Sequence, residues 1–336
     1  MTGAAGACAH QASKPTWETL SNPLGLGQFP ILSVGPRDAW FIVAGSGGPT
    51  HPVRWDGTSF APLDVPPIRT QPSFVSWPWG SGPDDVWFAG DGVRRWTGVG
   101  FTTPLEMSSR LVFGLGPSDV WIVDGTLGAT KQTLVHWDGS TFASFTLRLD
   151  GVYIQAVWGG ATNDVWAFGS VGVLGVTGSL ALAHWDGTGW SLADNTTAMM
   201  TSRGAKVAWG SSRQNIWALV DNFAKSNSTG TAGVTEMWHY DGSAWTIFTE
   251  LASIPVDTRA ISGGAADDVW AYNGTSWHFD GATWSPRFVA TDVPRIGFIS
   301  HSAADEGWAT GIAPTGTSRI LLHFHRACLD GQAGSN

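Results

Sequence analysis

A six-residue segment ending in tryptophan recurs seven times along the 336-residue chain: GPRDAW ends at Trp40, GPDDVW at Trp87, GPSDVW at Trp121, ATNDVW at Trp166, SRQNIW at Trp217, AADDVW at Trp270 and AADEGW at Trp308. Successive tryptophans are 47, 34, 45, 51, 53 and 38 residues apart. A period of about 40 to 50 residues is that of four-stranded blades set around a ring. Repetition on this scale overrides the domain count suggested by length, because each unit buries its faces against its neighbours.

A second motif follows each of the first six: RWDGTSF, RWTGVGF, HWDGSTF, HWDGTGW, HYDGSAW and HFDGATW. The Asp-Gly pair supplies the positive φ of a tight hairpin, and the aromatic residues on either side pair across its strands. Each unit therefore reads as four strands. In the fourth they are IQAVWG, DVWAFG, ALAHW and WSLAD, joined by a short turn, a variable loop and the DG turn. Gly, Pro, Ser or Thr interrupts nearly every window in which a helical period could build up. The sequence predicts an all-β, seven-bladed β-propeller with four antiparallel strands per blade, occupying residues 15–331, with 1–14 as an N-terminal extension and 332–336 as a tail.

The seventh unit stops at ILLHFHRACLDG, without a fourth strand. PTWETL, from Pro15 to Leu20, matches the missing strand, so the N-terminus is expected to complete the last blade and close the ring. This closure would bring Cys8 and Cys328 to one end of that blade. A disulfide there would contribute on the order of 5 kcal/mol in the chain-entropy model and imply an oxidising compartment. Two unrelated buried thiols, or a lipid-modified Cys8, are the alternatives.

Net charge is −9 with 13% charged residues, which argues against nucleic acid and anionic membrane surfaces as partners. No apolar run reaches the roughly 18 residues of a membrane span. The N-terminal MTGAAGACAHQASKPT is small and polar, and Met1 is read as standing where an export signal has been removed.

Eighteen of the 21 tryptophans fall in repeat slots and read as core. Trp77, Trp238 and Trp277 replace aliphatic residues of other units; core filling is the simpler reading, and Trp77 is also a candidate for stacking on a ligand. Asp38, Asp85, Asp119, Asp164, Asn215, Asp268 and Glu306 share one turn slot, where a short acid or amide accepts backbone N–H groups. His136, His184, His239, His278 and His323 share another, one residue before the DG-hairpin aromatic, where Arg54 and Arg95 stand in the first two units. They read as structural. His323 and His325 have metal-like spacing but no third ligand.

The short turns crowd one rim of the ring, leaving the variable loops to the other, where function on a rigid scaffold usually resides. Arg110, Arg203, Arg259 and Arg295 each come shortly before an innermost strand, with Arg69 a looser match. They could converge on a carboxylate, sulfate or phosphate at the channel mouth. Alternatively, each pairs with a rim acid such as Asp64, Glu106, Asp257 or Asp292. His51 and Tyr153 lie on the same rim, off the repeat pattern, as candidate catalytic base and acid. There is no GxSxG, no HExxH, no phosphate loop and no EF-hand loop, and no cofactor or metal is expected.

Through GxxxDVWAxG and HWDGxxW the chain resembles tryptophan-rich β-propeller repeat proteins exported by myxobacteria and related bacteria, from Trp17 to Phe324. It is more distantly similar to sialidase-type and kelch-type propellers, although the sialidase SxDxGxTW pattern is absent. The resemblance implies architecture and an extracellular or periplasmic location, not an activity. The expectation is an exported, lectin-like propeller that binds a glycan or other anionic ligand on its axis. The alternatives are a polysaccharide lyase or glycoside hydrolase acting at that site, and a protein–protein interaction scaffold.

Overall fold

The computed structural model describes residues 16–20, 31–35, 37–44, 50–65, 78–126, 131–147, 151–173, 177–192, 203–226, 232–248, 260–272, 276–287, 295–303, 306–312 and 319–325. They form seven four-stranded antiparallel sheets, the blades, with no helix. Within a blade the strands run in chain order from the inside outward, as in blade 4: Val152–Ala161, Asp164–Val173, Thr177–Trp185 and Trp190–Leu192. Each inner strand touches the inner strands of both neighbouring blades, and that of blade 7 (Arg295–Ala303) touches that of blade 1 (Ile31–Gly35). The ring is closed by Thr16–Leu20, which pairs antiparallel with the third strand of blade 7, from Thr16 opposite His325 to Leu20 opposite Leu321. Cys8 and Cys328 lie outside the described residues.

The apolar second strands follow from this geometry. In Asp119–Asp124 of blade 3, alternate side chains point to opposite faces. Val120 and Ile122 pack back on Trp87 and Val93 of blade 2, whereas Trp121 and Val123 pack forward on Ile154, Ala167 and Trp185 of blade 4. A strand between two neighbours has no wet face, so it carries no polar alternation. Trp40, Trp87, Trp121 and Trp308 are fully buried in the same way.

The repeated acid and the repeated His or Arg are partners. Asp119 lies two residues before Trp121, and His136 is directly opposite Trp121 on the third strand, so all three project from one face. His136 Nε2 lies 2.8 Å from Asp119 Oδ1, and its ring stacks on Trp121 at 4.3 Å. The same clasp joins His184 to Asp164, His239 to Asn215, His278 to Asp268, His323 to Glu306, Arg95 to Asp85 and Arg54 to Asp38. The expected backbone donors are thus replaced by third-strand side chains, because strand register puts a ring nitrogen or guanidinium within reach. Blade 5 alone offers an amide, Asn215, and burial pushes the proton affinity of its partner His239 down.

Backbone capture belongs instead to the aspartates of the DG turns. Asp56 Oδ1 accepts the N–H groups of Thr58 and Ser59 at 2.9 and 2.8 Å, and these bonds with the Thr58 hydroxyl hold its carboxyl down at about 2. The loop is longer than a two-residue hairpin: Trp185 is opposite Trp190, leaving four residues between them. Gly187 has φ +94°, and a Cβ there would lie 2.8 Å from Asn163 Cβ in the first turn of the blade. Gly187→Ala should therefore cost about 1–2 kcal/mol, whereas Gly189→Ala, with open space around it, should be near neutral. Urea midpoints of the two variants test this; equal midpoints would contradict it.

Candidate anion-binding site at the channel mouth

Inner strands start on the variable rim, and several carry a bulge one turn of the pleat into the ring. In blade 3 (Ser109–Gly116) the unpaired residue is Arg110, between Ser109 and Leu111. In blade 4 it is Gln155, in blade 5 (Arg203–Ser212) Lys206 and in blade 7 Gly297. A bulge re-aims its side chain away from the regular alternation. Three adjacent blades thus present Arg110, Gln155 and Lys206 from one register.

This register separates the arginines that looked equivalent in sequence. Arg203 lies three residues before the bulge of its strand, and Arg295 two before Gly297, with only its backbone described. Arg69, Arg259 and Trp77 lie outside the described residues.

Arg203 has a carboxylate of its own. Its Nε donates to Glu236 Oε2 at 2.8 Å, and Glu236 Oε1 accepts from Asn222 at 2.8 Å and from Lys225 at 3.1 Å. Burial alone would raise the Glu236 carboxyl, but the bonds from Arg203, Asn222 and Lys225 outweigh it and hold the group at about 2. The acid that pairs with Arg203 among the described residues is on the third strand of its own blade, not one of the loop acids Asp64 and Glu106; Asp257 and Asp292 lie outside the described residues. Lys206 is likewise engaged, with Nζ 2.8 Å from Asp221 Oδ1.

Arg110 differs from both. Its guanidinium lies flat against Tyr153 of blade 4, Cζ 3.5 Å from the ring centroid. Among the described residues it has no hydrogen bond and no ion pair, and Nη1 is buried without a partner. Burial lowers its proton affinity to about 10, which leaves it charged at neutral pH. At the same register of blade 4, Gln155 Oε1 is buried and also lacks a partner. Polar atoms without a hydrogen-bond partner occur elsewhere in the ring, among them Arg94 Nη1 and Asp91 Oδ2; Arg110 stands apart because its atom belongs to a cation with no ion pair among the described residues, set over the Tyr153 ring.

The rim around this place is uneven. The second and third strands of blade 2 (Asp85–Phe88 and Val93–Trp96) are short, whereas those of blade 5 (Asn215–Ser226 and Ala232–Tyr240) are long. Asn222 is opposite Arg203, the first residue of the inner strand, so four further residues of the second strand rise roughly 13 Å beyond it. Blades 4 and 5 form a wall on one side of the mouth.

The two candidate catalytic residues are not brought together. His51 is opposite Val43 on the third strand of blade 1 (Thr50–Trp55), while Tyr153 is on the inner strand of blade 4, with blades 2 and 3 between. Among the described residues no group of three or more His, Cys, Asp or Glu could hold a metal ion. A separate groove of about 380 Å³ lies between the outer strands of blades 3 and 4, lined by Ser144, Phe145, Thr146, Leu147, Trp190 and Leu192. Its lining holds no ionisable side chain.

No protein-family model and no curated protein matches the chain. Solved structures do match it. YCF48 bound to D1 peptide superposes with a TM-score of 0.65 at 15% identity, covering 96% of this chain and 100% of that one. The β-propeller domain of the Trilobed protease from Pyrococcus furiosus gives 0.56 at 12%, covering 90% and 95%. Aleuria aurantia lectin in complex with alpha-methyl-L-fucoside gives 0.47 at 14%, covering 78% and 94%. What the chain shares with these proteins is the propeller; the likeness to exported tryptophan-rich propellers rests on the sequence motifs alone. No helix among the described residues is long and apolar enough to cross a membrane.

Proposed function

We propose that this chain is a ligand-binding propeller whose channel mouth captures an anionic group, carried by a glycan or another anionic molecule. The observation that supports this reading is Arg110, a charged and partly desolvated guanidinium with no counter-charge among the described residues. An isolated buried cation is costly, and a bound anion removes the cost. Stacking on Tyr153 fixes the guanidinium plane, so less rotamer entropy is lost when a carboxylate or sulfate docks. Arg203 and Lys206, already neutralised, supply rigidity and local field rather than direct contacts.

A single domain over residues 15–331 and an extracellular or periplasmic location belong to the same proposal, the latter supported by the reading of Cys8 and Cys328 as a closing disulfide. The wall raised by blades 4 and 5, together with a solved neighbour that binds a peptide, supports a protein partner as the second reading.

The test is calorimetric titration with methyl glucuronide, a sulfated disaccharide and a neutral disaccharide. Wild-type protein should bind one or both anions and not the neutral sugar. Arg110→Met should weaken binding by roughly 10- to 150-fold, the worth of a charge-assisted hydrogen bond. The same variant, free of ligand, should melt no lower than wild type, because an uncompensated cation has been removed. Undiminished anion binding by Arg110→Met would refute the site.

A further inference from the structure

We infer that the ligand of this site is a carboxylate whose neighbouring carbons carry hydroxyls, as in a uronic-acid sugar, and that Gln155 selects it. This rests on the reading of Arg110 as the anion anchor and extends it to the chemistry beside the anion. Arg110 and Gln155 occupy the same bulge register on adjacent inner strands. Each has an orphan polar atom, Nη1 in one and Oε1 in the other. The two orphans ask for opposite things. The guanidinium needs an acceptor and is matched best by a planar carboxylate through two parallel bonds. The amide oxygen needs a donor, and the amide nitrogen an acceptor.

A sulfate ion at neutral pH answers only the first demand, because it carries no proton to donate. A hydroxyl both donates and accepts, so hydroxyls flanking a carboxylate answer both ends of the amide. A sugar acid presents them at fixed positions on a ring, with little flexibility to lose on binding. A peptide carboxyl terminus also offers a donor N–H and an acceptor carbonyl beside the carboxylate, but on a chain with more rotatable bonds to fix on binding than a sugar ring has. Lys206, next along the arc, is already paired with Asp221, so a single negative charge suffices. Leaving a hydrogen-bonding group of the site unanswered weakens a ligand more than removing an apolar contact does.

Four probes, methyl glucuronide, acetate, inorganic sulfate and N-acetylalanine, titrated calorimetrically into wild-type protein and into Gln155→Leu, decide the matter. Wild type should prefer the glucuronide over acetate by about tenfold or more, the effect of two modest hydrogen bonds. Gln155→Leu should abolish that preference and leave acetate affinity within twofold. Gln155→Met serves the same purpose should the leucine variant fail to fold, as judged by its melting curve. A preference that survives in the folded variant overturns the role of Gln155. N-acetylalanine binding as tightly as the glucuronide overturns the sugar acid in favour of a peptide terminus. Binding of none of the anions overturns the Arg110 site itself, which separates failure of this inference from failure of the reading beneath it.

Discussion

Trp217→Ala is expected to destabilise the ring by about 3–5 kcal/mol, the cost of emptying an aromatic site in a packed core. Trp217 is 1% exposed and packs with Leu219 and Met237 of blade 5 against Ile261, Val269 and Trp284 of blade 6. His239 stacks on one side of it at 4.1 Å, and Trp284 meets it edge-on at 5.3 Å. The variant therefore opens a cavity between two blades and removes the platform of a clasp at once. Leu192→Ala is the control, because Leu192 is 45% exposed on an outer strand and should change stability by less than about 0.5 kcal/mol. Urea midpoints at fixed slope give both values. A loss under 1 kcal/mol for Trp217→Ala would mean that the contacts between blades are not what holds the ring together.

Glu236→Ala should cost a similar amount, about 3–5 kcal/mol, for a different reason. Removing the carboxylate at the centre of a buried cluster takes away the hydrogen bonds it accepts and leaves the cation it pairs with less compensated. Arg203, Asn222 and Lys225 all converge on this carboxylate, and Trp238 donates to it at 3.3 Å. Adding Arg203→Met to Glu236→Ala should recover part of the loss, since the cation that has lost this carboxylate goes with it. The pH dependence carries a definite sign. Glu236 titrates at about 2 in the folded chain against 4.5 for an ordinary glutamate. Its contribution, roughly 3 kcal/mol, is therefore fully present above about pH 4.5 and lost as pH falls towards 2. Wild-type stability should fall across that window more steeply than that of the double variant. Parallel profiles would show that the cluster is not ionised as the geometry implies.

The ring was legible from the tryptophan spacing because Trp121 and its counterparts must fill the gap between blades at every step, and a slot that recurs for packing reasons recurs in sequence. The clasps were half legible. Asp119 and His136 each stood out as repeated, yet 17 residues separate them, and only the register that puts His136 opposite Trp121 makes them partners. The arginines misled for a related reason. Arg110 and Arg203 both stand near the start of an inner strand, but Arg110 occupies the bulge whereas Arg203 lies three residues before the equivalent one, and a bulge has no signature in composition. Gln155 drew no notice because a single amide in a strand is unremarkable until its oxygen is seen to be buried without a donor. Lys206 and Glu236 were missed likewise, one hidden by the bulge and the other by lying on a third strand rather than in a loop.

The pairing of Thr16–Leu20 with Arg319–His325 also bears on how the protein comes into being. A ribosome delivers the first of these strands long before the last. Blades 1 to 6 are each built from consecutive strands, so they can pair as they emerge. The early strand has no partner until the chain is almost finished, and the third strand of blade 7 has an open edge until the two meet. Edges of this kind recruit other chains, and contacts spanning most of a sequence form slowly. Completion is thus a single late event in biosynthesis, and its delay is the interval in which a nascent chain is most exposed to pairing with the wrong molecule.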